Sequence, residues 1–111
     1  MYEYKAIVKR VYDGDTITVD IDLGLKTWVH DETIRLYRID APEVRGKERP
    51  QGLISRDWLR EQILGKEVIL KTYKDTKGKY GRWIADVYSP ESDVSVNDRM
   101  VTHGLAEYKD Y

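Results

Sequence analysis

The chain has 111 residues, 35% of them charged, with 19 basic and 20 acidic side chains and a formal net charge of -1. That length fits one compact domain spanning residues 1–111, and the near-balance of charge excludes a protein that holds nucleic acid by bulk charge alone. With no cysteine, disulfides and thiolate metal sites are excluded, and no apolar run approaches the roughly 20 residues that a membrane span needs.

The start, MYEYKAIVKR, lacks the continuous apolar stretch of a signal peptide. With Met1 as the true start, an intracellular or mobile-element-encoded protein is expected in preference to a secreted one. The apolar residues are mostly β-branched or aromatic, with 9 Tyr and no Phe, a mix that favours strands. A first strand is predicted from Tyr4 to Tyr12, ending at the turn Asp13-Gly14. The segment TITVDIDL then alternates: Ile17, Val19, Ile21 and Leu23 face one way, Thr16, Thr18, Asp20 and Asp22 the other. Gly24 breaks the pattern. A third strand is expected from Lys26 to Ile39, interrupted near His30-Asp31.

Residues Gln51 to Leu64 read as a helix, with Pro50 at its entrance and Gly65 in the capping position. Leu59 and Ile63 form an apolar pair on it, flanked by Ile54 and Trp58. EVILKTY and RWIADVY follow as two strands joined by the polar turn DTKGKYG. SVNDRMVTHG reads as a short helix stopped by Gly104. Three strands, a helix, two strands and a helix make the order of an OB-fold, a five-stranded Greek-key barrel. A small β sandwich is the alternative, and it rarely inserts such a helix.

Chemistry enters with the acids. A turn accounts for Asp13-Gly14, with glycine supplying the positive φ of a tight connection. It does not account for Asp15 at the mouth of a strand, where Asp is disfavoured. An EF-hand loop is excluded because Ile17 occupies the third ligand position. The segment IRLYRIDAPE adds Arg35, Asp40 and Glu43 around Pro42. Asp15 and Asp40, arriving from different strands, would form with a backbone carbonyl an open oxygen shell for Ca²⁺ or Mg²⁺. Glu43 could hold an attacking water as general base. Arg35 and Arg82 carry planar donor forks that match phosphate oxygens and could stabilise developing phosphoryl charge. Taken singly, each arginine has a plainer reading as one half of a surface ion pair, and Asp40 and Glu43 as turn acids. His30 and His103 have no histidine partner at a ligand spacing and are assigned no chemistry. The charged loop EVRGKERPQ is expected to be mobile and to order on binding, with Arg45, Lys47 and Arg49 assisting docking.

Taken together, VYDGDT, IRLYRIDAPE, DTKGKYGR and VNDRMVTHGLA resemble, in order and spacing, the staphylococcal nuclease-like (thermonuclease) domain family. The resemblance covers nearly the whole chain. It implies an OB barrel that hydrolyses DNA and RNA with Ca²⁺ and leaves 5′-hydroxyl and 3′-phosphate ends, with Mg²⁺ a poorer support for activity. It implies that Asp15 and Asp40 ligate Ca²⁺ with the carbonyl of Ala41, where the family often has threonine. Glu43 would activate or orient the water, and Arg35 and Arg82 would grip the scissile phosphate. Lys79 and Tyr80 match positions that contact nucleotide phosphate, and Asp13 would stand behind the ligands to position them. The third helix of secreted members is expected to be absent or reduced, which would leave Tyr108 and Tyr111 as candidates for stacking on a base. The expected partners are DNA or RNA, with no membrane, and the expected state is a monomer. The competing readings are a catalytically silent nuclease-like module that binds nucleic acid or protein, and an OB-fold that only holds single strands. The completeness of the set Asp15, Arg35, Asp40, Glu43 and Arg82 favours the enzyme.

Overall fold

In the computed structural model, which describes residues 2–73 and 83–109, the chain runs through seven strands and two helices. These are β1 (Tyr2–Asp13), β2 (Thr16–Gly24), β3 (Thr27–Leu36), β4 (Ile39–Asp40), α1 (Arg49–Ile63), β5 (Glu67–Tyr73), β6 (Trp83–Tyr88), α2 (Val96–Thr102) and β7 (Glu107–Tyr108). The five long strands close into a barrel in the order β1-β2-β3-β6-β5. β3 and β6 run parallel, every other neighbour antiparallel, and α1 lies between the third and fourth barrel strands. This is the predicted OB-fold. Its interior is filled by β-branched and leucine side chains, among them Ile17, Val19, Ile34, Leu36 and Leu70, all fully buried.

The alternation of β2 holds through Ile21 and then fails, since Leu23 is half exposed where the ribbon extends past the barrel. Asp20, expected on the outer face, is buried. Its Oδ1 accepts the Asp31 backbone N–H at 3.0 Å, and Lys9 and His30 approach its Oδ2. That hydrogen bond holds the Asp20 carboxyl below the usual carboxylate range. The interruption expected near His30-Asp31 is only a bulge, within a strand that runs continuously from Thr27 to Leu36. The register slips between Val19 and Ile21, and Asp31 takes a φ of 59° at the resulting bulge.

The third strand does not run on to Ile39. It ends at Leu36, the chain turns through Arg38 with a φ of 64°, and Ile39–Asp40 form a separate short strand paired with Glu107–Tyr108. A backbone bond from Lys109 N to the Arg38 carbonyl extends this clasp. The segment expected to be a mobile loop is also structured. Gly46–Glu48 form a 3₁₀ turn that leads into α1, which starts at Arg49, before the predicted boundary.

α1 buries Gly52, Ser55, Leu59 and Ile63, while Ile54 is exposed and Trp58 packs at the margin of the core. Arg60 donates from Nε and Nη2 to the Val11 carbonyl, fixing the helix to β1. α2 is capped by Ser95, whose hydroxyl accepts the Asp98 N–H. Asn97 at its start is fully buried and fully used. Its Oδ1 accepts Val87 N–H at 2.9 Å, and its Nδ2 donates to the Tyr37 and Ala85 carbonyls at 3.0 and 3.1 Å. One amide thus ties α2 to β6 and to the turn that separates β3 from β4. Asn97→Ala strands buried backbone groups, and the expected loss is about 3 kcal/mol. Urea unfolding should show a lower midpoint with an unchanged slope.

Candidate active site

The β1–β2 turn brings up the first acid. Asp13 Oδ1 accepts the Asp15 N–H at 3.0 Å, an Asx turn that places Asp15 at the mouth of β2. Leu36 N donates to the Asp15 carbonyl at 2.8 Å, so the same residue is pinned to the end of β3. The Asp15 carboxylate, 6% exposed, accepts from Ala41 N at 2.9 Å and from the Thr16 hydroxyl at 3.1 Å. Asp40 arrives from β4, held by its pairing with Glu107.

Arg35, opposite Thr16 on β3, joins the two acids. Its Nη1 lies 3.0 Å from Asp15 Oδ2 and its Nη2 3.7 Å from Asp40 Oδ1. Two carboxylates remote in the chain therefore share one guanidinium. The plainer reading of Arg35 as an ion-pair partner is correct, but the pair is largely enclosed and not a surface contact.

Two glycines govern the approach of the backbone. Gly14 does not adopt the positive φ expected of it. A Cβ there would lie 2.6 Å from Ala41 Cβ and 3.0 Å from Ser55 Cβ, so its role is closeness and not conformation. At Gly52 on α1, a Cβ would fall 2.0 Å from the Glu43 carbonyl oxygen. The helix thus lies directly on the backbone that carries Glu43. Ser55, one turn on, donates to the Leu105 carbonyl at 2.6 Å and joins α1 to the segment that leads into β7.

These elements surround a cavity of about 310 Å³ lined by Asp13, Asp15, Arg35, Asp40 and Glu43, with Tyr12 at its edge. Four carboxylates face one guanidinium among the described residues. Burial, followed by the hydrogen bond and charge of Asp15, pushes the Asp13 carboxyl up to about 7. The donor set is all oxygen, as a hard cation requires, and it carries an excess of negative charge that such a cation would relieve. No cage of three or more Asp, Glu or His side chains forms among the described residues. Asp15 and Asp40 offer carboxylate oxygens to such an ion, and Ala41 lines the same cavity.

Lys79, Tyr80, Arg82 and Tyr111 lie outside the described residues. Tyr108 is turned away from the cavity, its hydroxyl donating to Asp98 Oδ1 at 2.9 Å beside Arg38. Lys47 and Arg49 do not line the cavity, whereas Arg45 donates to the Tyr12 hydroxyl at 2.7 Å. Sequence reasoning missed Tyr12, Gly52 and Ser55. Only the exposed tyrosine before an Asp-Gly turn offered any signal.

Two outcomes are expected. A carboxyl whose pKa is raised on folding keeps its proton more tightly in the folded state, so stability falls as pH rises from the unfolded value towards 7. Asp13→Asn keeps the acceptor oxygen and removes that ionisation. In chelator, thermal melts should show the variant gaining on the parent between pH 4 and pH 7, the range between the ordinary and the raised pKa. At Gly52, helix propensity alone predicts that alanine stabilises by about 1 kcal/mol. The clash with the Glu43 backbone reverses the sign, and Gly52→Ala should cost about 1–3 kcal/mol in denaturant unfolding.

A family model described as staphylococcal nuclease homologue matches residues 33–111. The chain is 33% identical over 108 residues to a thermonuclease of Staphylococcus intermedius, an alignment covering 95% of this chain and 60% of that protein. It is 32% identical over 111 residues to a thermonuclease of Staphylococcus hyicus, covering 97% of this chain and again 60% of the relative. Endonuclease YhcR of Bacillus subtilis (strain 168) is 33% identical over 114 residues, which span 94% of this chain but 9% of that protein. The chain thus spans about 60% of the length of the two thermonucleases. A barrel with the expected strand order, an acid pair bridged by Arg35 and these alignments lead to one conclusion: the chain belongs to the staphylococcal nuclease homologue family.

Proposed function

We propose that the chain, acting as one unit over residues 1–111, is a Ca²⁺-dependent nuclease that hydrolyses phosphodiester bonds of DNA and RNA with little sequence preference. The observation that carries this reading is Arg35 bridging Asp15 and Asp40 in one cavity with the exposed carboxylate of Glu43. The relatives, two thermonucleases and an endonuclease, support a nuclease reaction.

Asp15, Asp40 and the Ala41 carbonyl would hold the ion, and Mg²⁺, which insists on a near-ideal octahedron, suits the open set less well than Ca²⁺. Bound there, Ca²⁺ would neutralise charge and polarise a phosphoryl oxygen. Arg35 turns its fork of donors to the non-bridging oxygens of the scissile phosphate, where charge grows in the transition state. Glu43 accepts a proton from water as the water oxygen bonds to phosphorus. The bond from phosphorus to the 5′ oxygen breaks, and that oxygen takes up a proton. The products are a 5′-hydroxyl and a 3′-phosphate. By family resemblance, Arg82 shares the phosphate and the leaving group, with Lys79 and Tyr80 on a neighbouring phosphate. Asp13 fixes the backbone of Asp15 and so aims its carboxylate.

A silent binding module is the rival. Denatured DNA incubated with Ca²⁺, Mg²⁺ or chelator, beside a Glu43→Ser variant, separates the two. Cleavage is expected with Ca²⁺, is lost in chelator, and falls by roughly 10²–10⁴-fold in the variant. Retention of DNA without cleavage under every condition would establish the module instead.

A further inference from the structure

We infer that a groove between β1 and α1 is a second nucleic-acid subsite, which holds the single strand next to the phosphate being cut. The inference rests on the phosphodiesterase reading and extends it beyond the catalytic cavity.

The site cavity does not end at Glu43. Tyr12, Asp13 and Glu43 also wall an adjoining hollow of about 360 Å³, to which Val44 and Arg45 contribute. Tyr12 and Val44 in turn wall a groove of about 510 Å³. Three hollows in series thus share walls, and Tyr12 lines them all. Its ring is 52% exposed, and Arg45 fixes its hydroxyl from the solvent side.

The lining changes sign along this path. The site cavity is acidic, whereas the groove carries four cations, Lys9, Arg10, Arg56 and Arg60, and no acid. Val11, Val44 and Leu64 supply an apolar floor between them. The cations do have acidic partners, in Asp20 for Lys9, Asp31 for Arg10 and Asp57 for Arg56 and Arg60. None of these acids lines the groove, and Asp31 and Asp57 are themselves exposed. Because Asp31 and Asp57 face solvent, their pairs with Arg10 and Arg56 contribute little, and a phosphate can take up those two guanidiniums at small cost, while Arg60 keeps its bonds to the Val11 carbonyl.

An apolar floor, cationic rims and an exposed aromatic ring at the entrance are the equipment for a single strand. Bases rest on apolar and aromatic surface while phosphates meet the arginines. An acidic protein segment would use the cations but has no need of the floor or of the continuity with the site.

The test titrates a fluorescein-labelled oligothymidylate into the full chain in chelator, over a range of salt concentrations. Arg10→Gln/Arg56→Gln should bind about tenfold more weakly at low salt. The slope of log affinity against log salt should shrink by roughly 1.4, the release expected for two phosphate contacts on a single strand. Tyr12→Ala should weaken binding at least fivefold with the slope unchanged. Hydrolysis of a thymidine dinucleotide, too short to reach the groove, should be unaltered by the double arginine variant. Equal affinity and slope in parent and double variant would overturn the subsite, as would polyglutamate displacing the oligonucleotide at matched charge. If the parent cleaves neither substrate while the double variant still loses binding, the groove stands and the phosphodiesterase reading fails.

Discussion

The site depends on one close approach. At Gly14 the β1–β2 turn meets Ala41 beside Asp40, Ser55 on α1 and Met100 on α2, all so near that a methyl group at Gly14 has no room. Each contact brings a different part of the chain to the turn that carries Asp15. Repulsion at van der Waals distance is steep, so these elements cannot shift independently. Gly52 repeats the device on the far side, with α1 lying against the backbone of Glu43. The placement of the acids is therefore set by these close contacts together with the acids' own hydrogen bonds.

With that frame rigid, charge does the remaining work. Asp13, Asp15, Asp40 and Glu43 surround one cavity with Arg35 as the described counter-charge. Like charges confined this closely favour any cation that reaches them. Burial first, and then the hydrogen bond and charge of Asp15, leave Asp13 reluctant to ionise. Arg35 lies between Asp15 and Asp40 and can exchange those partners for the oxygens of a phosphate. On the proposed reading, the acidity of the described lining leaves the attraction of a nucleic acid to its surroundings, which gives the change of sign towards the groove beside α1 a mechanical meaning.

The barrel was legible in the sequence because its strands announce themselves by alternation or by β-branched content, and Ile17, Val19 and Ile21 fill the interior as that pattern demands. Leu23 misled because alternation does not report where a ribbon leaves the barrel. The candidate site residues were legible for other reasons: Asp15 occupies a position that strand preference disfavours, and Arg35 carries a donor fork among apolar neighbours. Residues that hold the site without reacting gave no such mark. Gly14 passed as an ordinary turn glycine, Gly52 and Ser55 are too small to register in a helical stripe, and Asn97 looked like any polar residue near a cap. β4 and β7 have two residues each, too few for a period to appear. The roles given to Lys79, Tyr80 and Arg82 rest on family resemblance, because they lie outside the described residues.

The clasp between β4 and β7 bears on synthesis. Asp40 sits on a strand whose partner is Glu107–Tyr108, so this bracing has no counterpart in the nascent chain until residue 108 has been made. The barrel strands are complete earlier, at Tyr88. During translation, which runs from the N-terminus and lets structure form as it emerges, a closed cylinder can precede a braced β4.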